Sequence, residues 1–309
     1  MINRRTFLQS AAIVGVSAAH KSVPAKSKAR MPIAFSTLGC PKWDWLKILD
    51  TASAEGFAAI ELRGLQGTMN LPERPEFTPE RIGQSKRELA SRNLRVVCLG
   101  SSAKMHEMDK VKREAHMDEG RRFIDLAQKL GAPYVRVFGD KYVEGVPRPE
   151  MIDHIADGLR QLGSYAQGKA VIVLIESHGD FTDSQALKEL LGKTNSPAVA
   201  LLWDAHHTFA SGKEEPEYTI KQLAPFIRHT HLKDSRPTEK GRHYVLTGEG
   251  DVPVQRQMRL LAQSGYRGYY SFEWEKAWHP EIAEPEVAIP HYATMARQYL
   301  TGLKLPTPK

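Results

Sequence analysis

The chain has 309 residues, enough for one large barrel or two ordinary domains. Hydrophobic residues at 41% and charged residues at 26% exclude a disordered or low-complexity protein. Of the net charge of +7, six positive charges fall in residues 1–30, which contain no acid, so the remainder is close to neutral and argues against a nucleic-acid partner.

The N-terminus reads as an address. Asn3-Arg4-Arg5-Thr6-Phe7-Leu8-Gln9 followed by the weakly apolar Ala11–Ala19 resembles a twin-arginine (Tat) export signal. Small residues at Val16-Ser17-Ala18 suit signal-peptidase cleavage near Ala18, and Lys21–Arg30 reads as a linker. The expectation is a periplasmic or otherwise exported protein whose first 30 residues lie outside the fold. No stretch reaches the ~18 to 20 uninterrupted apolar residues of a membrane span, so no membrane association is expected after cleavage. Cys40 and Cys98 are too few for a disulfide scaffold and form no zinc-like pair.

From Pro32 onward short β-type runs alternate with helical periods. The strand candidates are Ile33–Leu38, Ala58–Leu62, Arg95–Leu99, Tyr134–Phe138, Val171–Ile175, Val199–Trp203, Ile227–His231 and Tyr269–Phe272. Most are nearly continuous apolar runs, as parallel strands covered on both faces require. Between them lie helical spacings such as Trp45, Ile48, Leu49, Ala52, and Ile152, Ile155, Ala156, Leu159, Leu162. Another, Phe123, Ala127, Leu130, ends at Gly131, and the last runs from Ile289 through Leu300. Eight strands each followed by a helix fit a single-domain (β/α)8 barrel over 31–309. A doubly wound open sheet is the competitor, weakened because no Gly-x-Gly-x-x-Gly turn follows the first strand.

In a barrel the reactive groups gather where strands end. The second candidate ends in Glu61 and Arg63. The fifth runs into Glu176-Ser177-His178, and the sixth into Asp204-Ala205-His206-His207. The seventh carries His229-Thr230-His231-Leu232-Lys233-Asp234, and the eighth continues as Glu273-Trp274-Glu275. One buried carboxylate at a strand end reads as an ion pair. Four consecutive strands delivering Glu, Asp, His and Glu to one rim form an oxygen-rich site suited to one divalent ion: Mn²⁺, Mg²⁺ or Co²⁺, with Zn²⁺ also compatible.

Glu at strand 5, Asp-x-x-His at strand 6, His-x-His-x-Lys-Asp at strand 7 and Glu at strand 8 resemble the xylose isomerase-like TIM-barrel superfamily, often labelled sugar phosphate isomerase/epimerase. The likeness covers about residues 31–300, including Phe57-Ala-Ala-Ile-Glu61-Leu, Leu130-Gly-Ala-Pro-Tyr-Val-Arg136 and Gly248-Glu-Gly250. It implies Glu176, Asp204, His231 and Glu273 as metal ligands and His207 as a substrate contact. Two departures stand out. Ketose 3-epimerases of the superfamily carry a further Glu six residues after the strand-5 ligand, where this chain has Thr182, and an Arg for which Arg236 is an approximate match.

The remaining polar residues divide between substrate and structure. His178, Glu61, Lys233 and Arg236 are candidates for substrate contact, and Trp278 for stacking on a sugar face. Each has a structural alternative: His178 as a loop cap, Lys233 paired with Asp234 or Glu275, Glu61 paired with Arg63. His229 is expected to face away from His231 as a packing residue, His206 to face away from His207, and Trp45 to lie in the core. His106 and His116 read as solvated surface.

Glu176 and Glu273, arriving from separated strands, suit removal and return of a proton beside a carbonyl through an enediolate. The leading expectation is a metal-dependent isomerase or epimerase of a non-phosphorylated sugar or keto-sugar. A dehydratase or lyase acting on a keto-sugar or cyclitol is the nearest rival, and a non-catalytic sugar-binding barrel the third. A three-zinc nuclease is disfavoured, since strands 2 and 3 end without histidine.

Overall fold

The computed structural model describes residues 30–239 and 241–308. Eight parallel strands close into a barrel: β1 (Ile33–Ser36), β2 (Ala59–Leu62), β3 (Val96–Lys104), β4 (Tyr134–Phe138), β5 (Ile172–Glu176), β6 (Val199–Asp204), β7 (Ile227–Leu232) and, last in the chain, β10 (Tyr270–Phe272). Their order around the barrel is β1-β10-β7-β6-β5-β4-β3-β2. The helices between and after them are α1 (Trp45–Ala54), α2 (Ile82–Ser91), α3 (Lys110–Leu130), α4 (Arg148–Ala166), α5 (Ser184–Thr194), α6 (Ala205–Ala210), α7 (Pro216–Leu223), α8 (Val254–Gln263) and α9 (Pro285–Leu300). All eight expected strands are present, and the fold is the expected single-domain (β/α)8 barrel.

Strand alternation divides the apolar residues between two cores. Ile33, Phe35, Ile60, Leu62, Val135, Val137, Val173, Ile175, Leu201 and Trp203 point outward and pack under the helices. Ala34, Ala59, Cys98, Tyr134, Leu174, Ala200 and Leu202 fill the barrel interior. The same parity carries the interior upward into Glu61, Arg136, Glu176, Asp204 and His231, all buried. Asp44 and Asp109 cap α1 and α3, accepting backbone N–H bonds from Lys47 and from Val111 and Lys112. Gly131 closes α3 in the left-handed conformation, φ +76°, as its place after Leu130 suggested.

Two elements escaped the sequence. β3 continues through Gly-Ser-Ser to Lys104, which pairs with Phe138, because β4 supplies a partner that the polar run does not advertise. Beyond β7, β8 (Asp234–Thr238) and β9 (Gly241–Val245) form an antiparallel hairpin. Its first arm, Asp-Ser-Arg-Pro-Thr, contains residues that strands usually exclude. At the other end, Arg30 belongs with the barrel rather than the linker: its guanidinium donates to Phe57 O at 2.8 Å and Ser53 Oγ at 3.1 Å. Residues 1–29, with the Tat signal and cleavage site read there, lie outside the described residues.

Candidate metal centre and its surroundings

β5, β6, β7 and β10 are contiguous in the barrel, and each sends one side chain to the C-terminal mouth. A carboxylate oxygen from each of Glu176, Asp204 and Glu273 and a ring nitrogen of His231 lie within 4.8 Å of one another. His231 Nδ1 stands 3.1 Å from Glu176 Oε1, 3.1 Å from Glu273 Oε1 and 3.9 Å from Asp204 Oδ2. Asp204 also caps α6, its Oδ1 accepting from His207 N at 3.0 Å, so one carboxyl fixes the helix and keeps Oδ2 for the site.

Three buried carboxylates need compensating charge. Lys233, itself buried, donates to Asp204 Oδ2 at 2.6 Å and to Glu273 Oε2, and lies 2.8 Å from Glu275 Oε1. Burial alone would push its pKa down, but Asp204, Glu273 and Glu275 hold it well above the ordinary lysine value. Arg136 from β4 places Nε 3.1 Å from Glu176 Oε2, close but not aligned as a hydrogen bond. Burial would raise the Glu176 pKa; Arg136 and then His231 overcome it and hold the group at about 2. Burial acts likewise on Glu273, where His231 and Lys233 bring its pKa well below the carboxylate range. Burial opposes a charged His231, yet Glu273, Glu61 and Glu176 lift its pKa well above the usual imidazole value.

Glu61 lies beneath this cluster. Its Oε2 is 2.9 Å from His231 Nε2 and 2.7 Å from His229 Nε2. A carboxylate on Nε2 leaves Nδ1 facing the three acids, the arrangement by which outer carboxylates orient a metal-binding imidazole. Glu61 is fully buried, so the structure places it behind His231 rather than at the cleft, and pairs it with two histidines rather than with Arg63. His229 corrects a second expectation. Side chains two apart on a strand share a face, so His229 points into the barrel with His231, stacked on Tyr134 at 6.2 Å.

The four groups fit a divalent ion. They offer three oxygens and one nitrogen, and buried Glu176 Oε2 has no hydrogen-bond partner among the described residues.

Around the mouth, Leu38, Arg63, Phe138, His178, His207, Glu275 and Trp278 line a cleft that also reaches Arg136, Glu176 and Glu273. His207 Nε2 is 3.4 Å from Asp204 Oδ2, and Trp278 is 53% exposed. The structure brings His207, His178 and Trp278 to the opening above the four central groups, whereas Lys233 is buried against Asp204, Glu273 and Glu275, the structural alternative rather than a substrate contact. Arg236 is not brought there: it is exposed on β8 and donates to Glu249 O at 2.5 Å. His206 turns away from the cleft to Ser235 Oγ, at 2.8 Å. Thr182 is buried and adds no carboxylate. Arg63 and Arg136 were not singled out as site residues. Arg136 was legible in principle, because a charge inside Tyr-Val-Arg-Val-Phe at the parity of Tyr134 must point inward.

The chain matches the family described as xylose isomerase-like TIM barrel over residues 49–296. It belongs to that family. Among curated relatives, an inosose dehydratase of Bacillus thuringiensis (strain Al Hakam) is 32% identical over 163 residues, 47% of this chain and 52% of the relative. The chain therefore spans about half the length of the curated relatives it matches. Solved structures of this barrel family superpose over most of the chain. A D-psicose 3-epimerase determined in the presence of D-fructose has a TM-score of 0.71 at 13% identity, covering 88% of this chain and 100% of that one. The IolI protein with a bound zinc atom has a TM-score of 0.69 at 17% identity, covering 89% and 99%. These structural likenesses speak to the barrel alone.

Proposed function

We propose that this family member is a divalent-metal-dependent lyase that removes water from a non-phosphorylated keto-cyclitol or keto-sugar. The observation that carries the reading is the convergence of Glu176, Asp204, His231 and Glu273, with Lys233 and Arg136 set against their carboxylates. In this reading those four residues hold the ion. When bound, the ion would supply Lewis acidity to a substrate carbonyl and so make the adjacent C–H more acidic. One of Glu176 and Glu273 accepts that proton. The C–H electron pair becomes the new C=C bond, the C–O bond on the next carbon breaks, and the hydroxyl leaves as water with the proton that the carboxylate has taken up. Arg136 and Lys233 keep both carboxylates ionised and fixed, and His207 orients a substrate hydroxyl.

Two points favour elimination over the isomerase or epimerase reading that leads from sequence alone. Curated relatives at 31–32% identity carry the name inosose dehydratase, and Thr182 stands where ketose 3-epimerases of the family place another carboxylate. Epimerisation remains the second reading, favoured by Glu176 and Glu273 each lying 3.1 Å from the same ring nitrogen.

The deciding experiment follows a panel of keto-cyclitols and keto-sugars by NMR in D₂O with metal-loaded protein. Elimination gives an unsaturated or rearranged product lighter by water, whereas epimerisation conserves the formula apart from deuterium. Glu176→Gln and Glu273→Gln, assayed at saturating metal, are each expected to slow turnover by about 10²- to 10⁴-fold. His207→Asn is expected to act mainly on KM. Wild-type deuterium exchange in both Gln variants with metal bound overturns the carboxylate roles.

We further propose export by the twin-arginine route, from Arg4-Arg5 and the run ending near Ala18. Replacing both arginines with lysine is expected to hold the precursor in the cytoplasm. Unchanged export and trimming of that variant rejects the route.

A further inference from the structure

Asp140 follows β4 with φ +72°, in the left-handed region where a non-glycine residue is uncommon. Three contacts hold it there. Oδ1 lies 3.1 Å from His178 Nδ1, Oδ2 accepts from Lys104 Nζ at 2.8 Å, and its carbonyl accepts from Asp180 N at 2.8 Å. Gly179 permits the approach, since a Cβ there would stand 2.1 Å from Asp140 O. Held in this way, the carboxyl faces one ring nitrogen of His178. The ring packs on Phe138 at 4.7 Å and stands edge-on to His207 at 5.0 Å. Nε2 makes no hydrogen bond among the described residues, and His178 lines the cleft beside Glu176 and Glu273.

We propose that Asp140, itself steadied by Lys104, is a positioning residue that fixes His178 as the Nδ1–H tautomer, so that Nε2 faces a substrate hydroxyl in the cleft. The claim rests on the dehydratase reading for the identity of the substrate but not for the state of the ring. A carboxylate can only accept, so while it faces Nδ1 the proton of a neutral imidazole belongs there and Nε2 carries the lone pair. Lys104 sharpens the consequence of losing that charge. In Asp140→Asn the ammonium retains the amide oxygen, which turns the NH₂ group toward His178, and a donor there stabilises the opposite tautomer.

The test has one readout independent of turnover. Long-range ¹H–¹⁵N spectra of the Mg²⁺-loaded protein, at a pH where the ring is neutral and with His178→Gln to assign the signal, are expected to show Nδ1–H in the wild type. They are expected to show Nε2–H in Asp140→Asn, and Nδ1–H again in Asp140→Asn/Lys104→Met, where the amide is free to rotate. In turnover of the keto substrate, Asp140→Asn is expected to lose roughly 10- to 100-fold in kcat/KM, the range for partners that orient a functional imidazole, with metal content unchanged. The double variant is expected to recover much of that loss. An Nε2–H tautomer in the wild type overturns the proposal, even if Asp140→Asn fails to fold. So does an unchanged tautomer in a folded Asp140→Asn. Wild-type protein that shows the expected tautomer but converts no keto-cyclitol or keto-sugar instead defeats the dehydratase reading and leaves the Asp140–His178 arrangement standing.

Discussion

At the scale of single residues, the site is a problem of charge compensation. Glu176 and Arg136 are each about 2% exposed at the side chain, so neither charge has water to stabilise it, and each depends on the other. Removing one partner of such a pair commonly destabilises a protein by about 3–5 kcal/mol, because the survivor is left charged and buried. Arg136→Met is therefore expected to lower the unfolding free energy of the metal-free protein in urea by that order. Adding Glu176→Gln is expected to return much of the loss, since the double variant buries no charge at this position. Equal stability of the single and double variants rejects the pairing as the source. The same reasoning explains what the sequence revealed here. Glu176, Asp204 and Glu273 stand out because an acid directly after an apolar strand demands an explanation. Arg136 and Lys233, which provide it, look like ordinary basic residues until the strands are arranged around one axis. Glu61 was visible as a strand-end acid, but its two imidazole partners sit on β7, across the barrel from β2, and no local pattern pairs positions 168 and 170 residues apart.

At the scale of elements, strand periodicity carried the fold, and the same periodicity applied with the wrong parity misplaced His229. The β7–β8 connection shows a different limit. Asp234 begins the hairpin and gathers the following loop by accepting backbone N–H bonds from Ser235, Gly248, Gly250 and Val252. Gly248-Glu-Gly250 was legible as a motif, whereas its purpose depends on this carboxyl, which no spacing announces. Burial is the largest influence on Asp234 and leaves its pKa raised despite the four N–H groups, so the clamp works in a partly dry setting. A Cβ at position 250 would meet Asp234 Oδ1 at 2.0 Å and Ser235 O at 2.4 Å. The second of these is backbone and the first is held by its hydrogen bonds, so neither yields easily. Gly250→Ala is expected to destabilise by about 1–3 kcal/mol in urea, as forced overpacking does. Gly192→Ala is the control, since a Cβ there meets nothing within 4 Å inside α5 and is expected to be neutral or slightly stabilising. A Gly250→Ala protein as stable as the wild type removes the clamp from the account of this loop.

At the scale of the whole molecule, the four proposed ligands come from β5, β6, β7 and β10, so the site exists only when half the barrel has closed. In the unfolded chain, Glu176 and Glu273 are nearly a hundred residues apart and offer a metal no common site. An ion that binds the folded state and ignores the unfolded one stabilises by mass action, about 2.7 kcal/mol at a free concentration a hundred times Kd. For a barrel of this size a kilocalorie moves Tm by a little under about 2 °C, so the expected gain is on the order of 4–5 °C. Chelator-treated protein titrated with Mn²⁺, Mg²⁺, Co²⁺ and Zn²⁺ in thermal melts reads this directly and ranks the ions at the same time. Asp204→Asn separates metal binding from general salt effects. It keeps the side-chain oxygen that caps α6, so the barrel is expected to fold, while removing a charged ligand and with it most of the shift. Lys233 adds a finer expectation. Its ammonium already partners Asp204 and Glu273, so an incoming ion competes with it for the same oxygens. Lys233→Met is therefore expected to melt lower than wild type without metal and to gain more degrees from metal than wild type does. A larger gain in the lysine variant, lost again in Asp204→Asn, places the ion among these carboxylates; equal gains in all three proteins place it elsewhere.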